Sequence, residues 1–560
     1  MVKRTVAVLL AAFLAAAPLT AQTQLPQLGE TIEVSIVNVD VIVTDRRGNH
    51  IRGLTAADFE IRDNGAPQPI TNFAEYEDKP AAAATATIDG KAGVESTAPS
   101  AAPREKRTLV VFIERQVMPP AEANKFIVSI KKMLHDAMRP GDAAAIVTFR
   151  YAMKVEQEFT GDLSKLDASL DKLHTFFDRV SEDAESENIR NEYMQELLDQ
   201  DAAAAGQAPV QSLILSGYEQ RRRAFLDMRR KINTVNILVN TMAATEGRKA
   251  IFLATRRFSQ YAGAEYSRGG PGPSRDDEEF NTVTLRDQLV RNANAAGVTL
   301  YAVYPEGMVD TPINNVERRT SSTPATDIAR FSRGNAILLN ETVALNDVAN
   351  RTGGVAGWGF TDVAKIANTM RDDLTSYYSL AFKAPKKSAT HKISVTTTNR
   401  SYTVRARREF IEKTDAMQMT DRVVSSLYQP QRVSTLPIDV QVLGITKVKN
   451  RWHIPVVIRI PAASLTALPD DKGMSGSFRV YAAAGGALGI MSDVYEKSQP
   501  FTIPKDATDV ATKQFTYEFE MVTDARADRI VVGAYDELSK QYGVLRIKLE
   551  RPTAPSPSSR

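Results

Sequence analysis

Between residues 107 and 305 the chain alternates two kinds of apolar pattern. Four short runs are almost unbroken: Thr108–Ile113 (TLVVFI), Ala144–Phe149 (AAIVTF), Lys249–Ala254 (KAIFLA) and Val298–Val303 (VTLYAV). Each is rich in β-branched residues and bounded by charge or glycine, which predicts strands buried on both faces. Around and between them, Glu122–Met138, Tyr218–Met242 and Thr284–Ala296 carry apolar residues at helical spacing. Strands alternating with helices predict a doubly wound, Rossmann-like α/β domain with a parallel sheet. The ligand site of such a sheet lies at the carboxyl ends of its strands.

The flanks read differently. Over residues 30–77 apolar positions alternate (Ile32, Val34, Ile36, then Val39, Val41, Val43), with turns at Asp45–Asn49 and Asp63-Asn64-Gly65, predicting a small β-rich module. Residues 79–104 are an Ala/Pro/Ser/Thr-rich linker of low complexity. The central domain spans 107–411, with insertions at about 178–216, acidic in its first half, and 263–281, rich in Gly and Pro. Within it, Ala344–Thr352 predicts a helix closed by Gly353-Gly354. Tyr377–Phe382, Lys392–Thr397 and Tyr402–Arg407 predict strands added antiparallel to the central sheet. Residues 412–430 form a helical joint. From 436 to 550 six strand-like segments separated by Gly-, Pro- and Asp-rich turns predict a β-sandwich, and 551–560 is a Pro/Ser-rich disordered tail.

Composition removes several function classes. Seventy basic residues against 67 acidic ones leave a net charge of +3, too balanced for nucleic-acid binding. The basic groups Arg221-Arg222-Arg223 and Arg229-Arg230-Lys231 fall on one predicted helix and read as a solvated face. Lys3-Arg4, the apolar run Thr5–Ala17 and the small residues up to Ala21 have the layout of a secretory signal peptide over residues 1–21. The apolar core is too short for a comfortable membrane span, and no lipid-attachment cysteine follows. The expected location is therefore periplasmic or secreted. With no cysteine, disulfides, thiolate catalysis and Cys-ligated metal are excluded. The five histidines (His50, His135, His174, His391, His453) stand in separate segments, against the three or four convergent ligands a zinc site needs. No phosphate loop or nucleophile motif has a strand–turn–helix context. Asp142, in Arg139-Pro140-Gly141-Asp142, reads as turn chemistry before a buried strand, and Tyr377 and Tyr378 as packing residues.

Three strings carry a family resemblance: the Val-x-Val-x-Val-Thr-Asp…Gly-Leu-Thr…Asp-Phe string of residues 39–59, Leu345-x-x-Val348-Ala349-x-x-Thr352-Gly353-Gly354, and Ser376–Phe382. With the order of the central strands and helices, they resemble the von Willebrand factor type A domain, in its bacterial "VWFA-related" subgroup, over about residues 30–411. The resemblance implies a von Willebrand factor A-type fold and protein–protein recognition through a Mg²⁺ or Mn²⁺ ion. That ion is held by Asp-x-Ser-x-Ser after the first strand, a threonine from a later loop, and Thr-Asp-Gly after the fourth strand. Here the first motif reads Glu114-Arg115-Gln116-Val117-Met118 and the last Thr255-Arg256-Arg257. The metal site is degenerate at Glu114, Gln116, Met118 and Arg256, so no metal and no cofactor are expected. Glu114 is expected to face Arg256 or Arg257 across the strand ends, filling the metal position with an ion pair.

The resulting expectation is an exported, non-enzymatic binding or scaffold protein. Glu114, Arg115, Gln116, Arg256 and Arg257 form its partner surface and Asp276–Glu279 a charged rim. The partner is an unidentified protein, not nucleic acid, and the oligomeric state is open. Two alternatives remain: a Mg/Mn-dependent adhesin with a weakened site built on Glu114 and Thr255, and an envelope hydrolase with an unrecognised carboxylate pair.

Overall fold

A computed structural model describes residues 34–77, 106–114, 120–150, 152–173, 211–256, 258–266, 278–305, 324–385, 390–429, 434–449, 451–524 and 526–549. The segment read as a signal peptide, the stretches read as linker and tail, and most of the two expected insertions lie outside the described residues. The architecture is mixed α/β, with one parallel-rich sheet and several antiparallel ones.

The chain begins with β1 (Val34–Thr44), β2 (Phe59–Asp63), β3 (Ala66–Gln68) and β4 (Ile70–Glu77). The α/β layer then runs β5 (Arg107–Glu114), α1 (Pro120–Ala137), β6 (Ala143–Arg150), β7 (Ala152–Thr160), α2 (Leu163–Asp171), α3 (Gln211–Met242), β8 (Arg248–Ala254), α4 (Val283–Ala296), β9 (Val298–Tyr304), α5 (Pro324–Arg351), β10 (Ala356–Trp358) and α6 (Phe360–Thr375). Its six strands lie in the order β10-β9-β8-β5-β6-β7. Counted along the chain this is 3-2-1-4-5-6 read from the other edge, with only the edge strand β7 antiparallel. Every residue of β5 is buried, because the sheet is covered on both faces. Leu109, Val111 and Ile113 pack under α1, α2 and α6; Val110 and Phe112 pack under α3, α4 and α5. That double burial is why the central strands read as continuous apolar runs rather than alternating ones. The predicted helices extend further than their sequence patterns, α5 most of all, and α2, α6 and β7 join them without a sequence forecast.

Asp142 does turn work, as expected: its carboxylate accepts the backbone N–H groups of Arg107 (2.9 Å) and Arg139 (2.8 Å), fixing the start of β5 beside that of β6.

The sequence expectation fails for the strands that follow α6. β11 (Ser376–Pro385), β12 (Thr390–Thr397), β13 (Thr403–Ala406) and β14 (Glu409–Ile411) do not extend the parallel sheet. They interleave with the N-terminal strands in two four-stranded sheets, β13-β1-β11-β4 and β14-β12-β2-β3. The two sheets close on Val37, Val39, Val41, Val43, Phe59, Ile61, Tyr378, Leu380, Phe382 and Ile393. Residues 34–77 are thus half of a sandwich, not a self-contained module, and the α/β layer is inserted between its halves. Tyr377 and Tyr378 are both buried. The Tyr378 hydroxyl donates to the Ile51 carbonyl and accepts from Leu54 N–H, stitching the turn after β1 to β11.

Helix α7 (Asp415–Tyr428) joins this assembly to a C-terminal β-sandwich made of β15 (Asp439–Val442), β16 (Thr446–Val448), β17 (Arg451–Pro461), β18 (Leu468–Asp470), β19 (Gly473–Gly485), β20 (Tyr495–Pro504), β21 (Gln514–Asp524), β22 (Arg529–Asp536) and β23 (Tyr542–Lys548). Met419, Val423 and Leu427 of α7 pack on Tyr481, Ala483, Val531 and Tyr535 of β19 and β22. Ser425, on the same helix, accepts the Ala244 N–H beyond the end of α3. No helix among the described residues is long and apolar enough to cross a membrane.

Candidate functional site

In the strand order 3-2-1-4-5-6 the chain leaves β5 toward one edge and β8 toward the other, opening a crevice between their carboxyl ends. Glu114 is the last residue of β5, and Thr255 follows the last residue of β8. Both are buried, Glu114 at 7% exposure and Thr255 at 0%. One carboxylate oxygen, Oε2 of Glu114, accepts the Thr255 hydroxyl (2.6 Å) and the Arg256 N–H (2.8 Å). The third partner of that oxygen is the Lys231 ammonium of α3, at 2.8 Å. Lys231 Nζ also donates to the Arg256 carbonyl at 2.6 Å.

Lys231, not expected at this site, supplies a counter-charge to Glu114. Arg256 contributes its main chain, donating its N–H to the carboxylate and lending its carbonyl to the lysine. Arg257, the other arginine expected there, lies outside the described residues. The Arg221–Lys231 stretch is not the wholly solvated face expected. Arg222, Arg223, Arg229 and Arg230 are exposed, but Arg221 and Lys231 are buried, Lys231 to 1%. The reason is helical geometry. Lys231 follows Met228 by three residues and precedes Val235 by four, so it lies on the stripe Met228, Ile232, Val235, Leu238, Val239 and Met242 that faces the sheet. A single charge within such a stripe was the signal in the sequence that could have identified it.

A hard divalent cation does not fit these residues. Such ions take about six or more oxygen ligands, whereas the described site offers one carboxylate, a hydroxyl that already donates to it, and an ammonium. A divalent ion on the same carboxylate, about 4 Å from the lysine, would be opposed by roughly 8 kcal/mol at an effective dielectric of about 20. Among the described residues there is no group of three or more His, Asp or Glu side chains placed to hold a metal. Arg115, Gln116, Met118 and Arg257 lie outside the described residues, as do Asp276 and Asp277 of the proposed rim. Of that rim, Glu278 and Glu279 are exposed, and Glu279 accepts the Tyr218 hydroxyl at 2.8 Å. Phe280, next in the chain, is buried with the Arg221 guanidinium 4.5 Å from its ring centroid, so the end of this loop is pinned to α3.

No family model matches the chain, and no curated protein does. Among solved structures, it is similar to a von Willebrand factor type A protein from Catenulispora acidiphila, at 9% identity and a TM-score of 0.25, over 73% of this chain and 69% of that one. It is also similar to proximal thread matrix protein 1 from the mussel byssus, at 10% identity and a TM-score of 0.19. That match covers 50% of this chain and 48% of the mussel protein, so the chain spans about half of the latter's length. A PilB minor pilin variant from Streptococcus sanguinis matches at 10% identity and a TM-score of 0.21, over 60% of this chain and 87% of the pilin.

Proposed function

We propose that this chain is an exported, non-enzymatic binding or scaffold protein. In this reading its α/β layer is a von Willebrand factor A-type domain that recognises a protein partner at the carboxyl edge of the sheet without a metal ion. The observation that carries the reading is the Lys231 ammonium on Glu114 at the switch-point crevice, where it supplies the positive charge a divalent ion would otherwise bring. The pair is internal and holds the strand ends in place. In this reading recognition falls to the polar residues that follow the two strands in sequence, Arg115, Gln116, Arg256 and Arg257, with the acidic segment ending at Glu278 and Glu279 as a rim. Charged edges of mixed sign give specificity and speed of association more than raw affinity. Export rests on the signal-peptide layout of residues 1–21.

The test is a thermal-unfolding titration of the full chain with Mg²⁺, Mn²⁺ and Ca²⁺ against a chelator control. The expected result is an unchanged midpoint. A saturable stabilisation that disappears in Glu114→Ala would replace this reading with that of a metal-dependent adhesin. In parallel, cross-linking in the exported fraction compares the wild type with Arg256→Ala/Arg257→Ala. The variant folds normally and loses the cross-linked partner; undiminished capture would move the binding surface elsewhere.

A further inference from the structure

The opposite end of the parallel sheet meets the N-terminal sandwich, and a cleft of about 210 Å³ lies between them. Its walls carry Arg248 and Lys249 from the start of β8, Arg405 and Arg407 from the end of β13, and Asp40 from β1. Arg405 is fully engaged: it makes two hydrogen bonds of 2.7 Å to Asp373, a carboxylate with no solvent exposure that also accepts the Tyr301 hydroxyl and pairs with His50.

The other three cations are not neutralised in this way. Arg248 is 7% exposed and lies over the Tyr377 ring, its guanidinium carbon 3.9 Å from the centroid. Its Nη1 makes no hydrogen bond among the described residues, and its nearest carboxylate there is Asp40 Oδ2 at 3.6 Å. Arg407 Nε is likewise buried and unbonded, while its other nitrogens reach the carbonyl oxygens of Asn38 and Asn294. Lys249 donates to the carbonyl oxygens of Ala243 and Thr245. Carbonyl dipoles satisfy N–H groups but do not cancel charge. The carboxylate nearest Arg248 is that of Asp40, which is half in solvent, and a second carboxylate acting on Lys249, that of Asp421, is already paired with Lys413. Buried charge with little counter-charge is costly. Burial works against Arg248 too, but Asp40 and Asp373 outweigh it and hold that guanidinium above its ordinary value, whereas the other two cations are lowered. Burial, with the Lys413 and Arg407 charges behind it, brings Lys249 down to about 8. Burial also lowers Arg407 against the pull of Asp40.

We propose that this cleft is a binding site for a small dianionic molecule, one bearing a phosphate or two carboxylates. Its negative charge is met by the guanidinium groups of Arg248 and Arg407 and the ammonium of Lys249, all of which line the cleft. The cleft is smaller than the roughly 300–1,000 Å³ of pockets for drug-sized ligands, which favours a compact anion. Arg248 and Lys249 belong to the α/β layer and Arg407 and Asp40 to the sandwich, so occupancy ties the two together.

The experiment is calorimetric titration of the full chain with inorganic phosphate, glycerol 3-phosphate and succinate at matched ionic strength. At least one binds saturably below roughly 10 mM, and which one assigns the anionic group. Arg407→Gln and Arg248→Gln each weaken binding by about tenfold, as expected for one charge-assisted contact. Asp40→Asn removes the competing carboxylate and tightens binding, a gain that a misfolded variant could not give. Sulfate, whose own charge is constant over the range, binds less well as pH rises from about 7 to 9 and Lys249 loses its proton. The charged groups around Lys249 are Arg407, Lys413, Asp421 and Asp40. The absence of saturable binding by all the probes would overturn the proposal. Equal affinity in wild type, Arg407→Gln and Asp40→Asn would do the same, reducing the signal to an adventitious ion only.

Discussion

Replacing Lys231 with methionine keeps the apolar stem of the side chain and removes only its ammonium. At the 2.8 Å separation from Glu114, the lost attraction is about 6 kcal/mol at an effective dielectric of about 20. Desolvation of both charges in the wild type offsets part of that. In the variant, however, the Glu114 side chain, 9% exposed, keeps the Thr255 and Arg256 hydrogen bonds and loses its described counter-charge. Leaving one member of a buried pair behind costs about 3–5 kcal/mol. For a unit of this size each kcal/mol moves the midpoint by about 2–4 °C, so the α/β transition falls by roughly 6–20 °C. The assay is thermal unfolding followed by circular dichroism for Lys231→Met, Glu114→Gln and the double variant. Each single substitution destabilises, and the double recovers much of the loss, because it leaves no charge in the crevice. A Lys231→Met midpoint within about 1 °C of wild type would refute the reasoning. So would a double variant as unstable as the two singles added together, since a coupled pair cannot behave additively.

Other consequences can be measured in the same way. Asp373→Ala strands Arg405, His50 and Tyr301 at the junction of sandwich and α/β layer. A loss of about 3–5 kcal/mol in denaturant unfolding is expected. Burial works against the Asp373 charge, but the His50 hydrogen bond and the Arg405 charge outweigh it and hold the carboxyl below its ordinary value. The stability it contributes is therefore complete above the unfolded value of about 3.9 and is lost as pH falls through the lower folded one. Acid unfolding shows that step in wild type and lacks it in Asp373→Asn. Gly354→Ala places a Cβ 2.0 Å from the Leu300 carbonyl oxygen. That contact forces α5 away from β9 and costs about 1–3 kcal/mol or more in denaturant unfolding. Leu427→Ala opens a cavity between α7 and the C-terminal sandwich. It lowers the stability of that sandwich by about 2–5 kcal/mol, read by hydrogen exchange at β19 and β22.

The local pattern of this chain was enough to place the four central strands, because strands buried on both faces must be apolar throughout and little else reads that way in a short run. From those strands the switch-point crevice followed, and with it the positions of Glu114 and Thr255, since a strand's end is a local property. Alternation likewise revealed β1 and most of the long strands of the C-terminal region, though not β20. It could not reveal that β1 pairs with β11 and β13 across the whole inserted layer, because period-two patterning states which face is buried and not which strand lies alongside. The role of Lys231 was hidden for a similar reason. Its place on the inward stripe of α3 is written in the spacing, but the carboxylate it meets is brought to it only when α3 packs across β5 and β8. The basic cleft belongs wholly to the tertiary structure: Asp40, Arg248, Lys249 and Arg407 come from three distant stretches of sequence, and charge at a distance in sequence carries no information about charge at a distance in space.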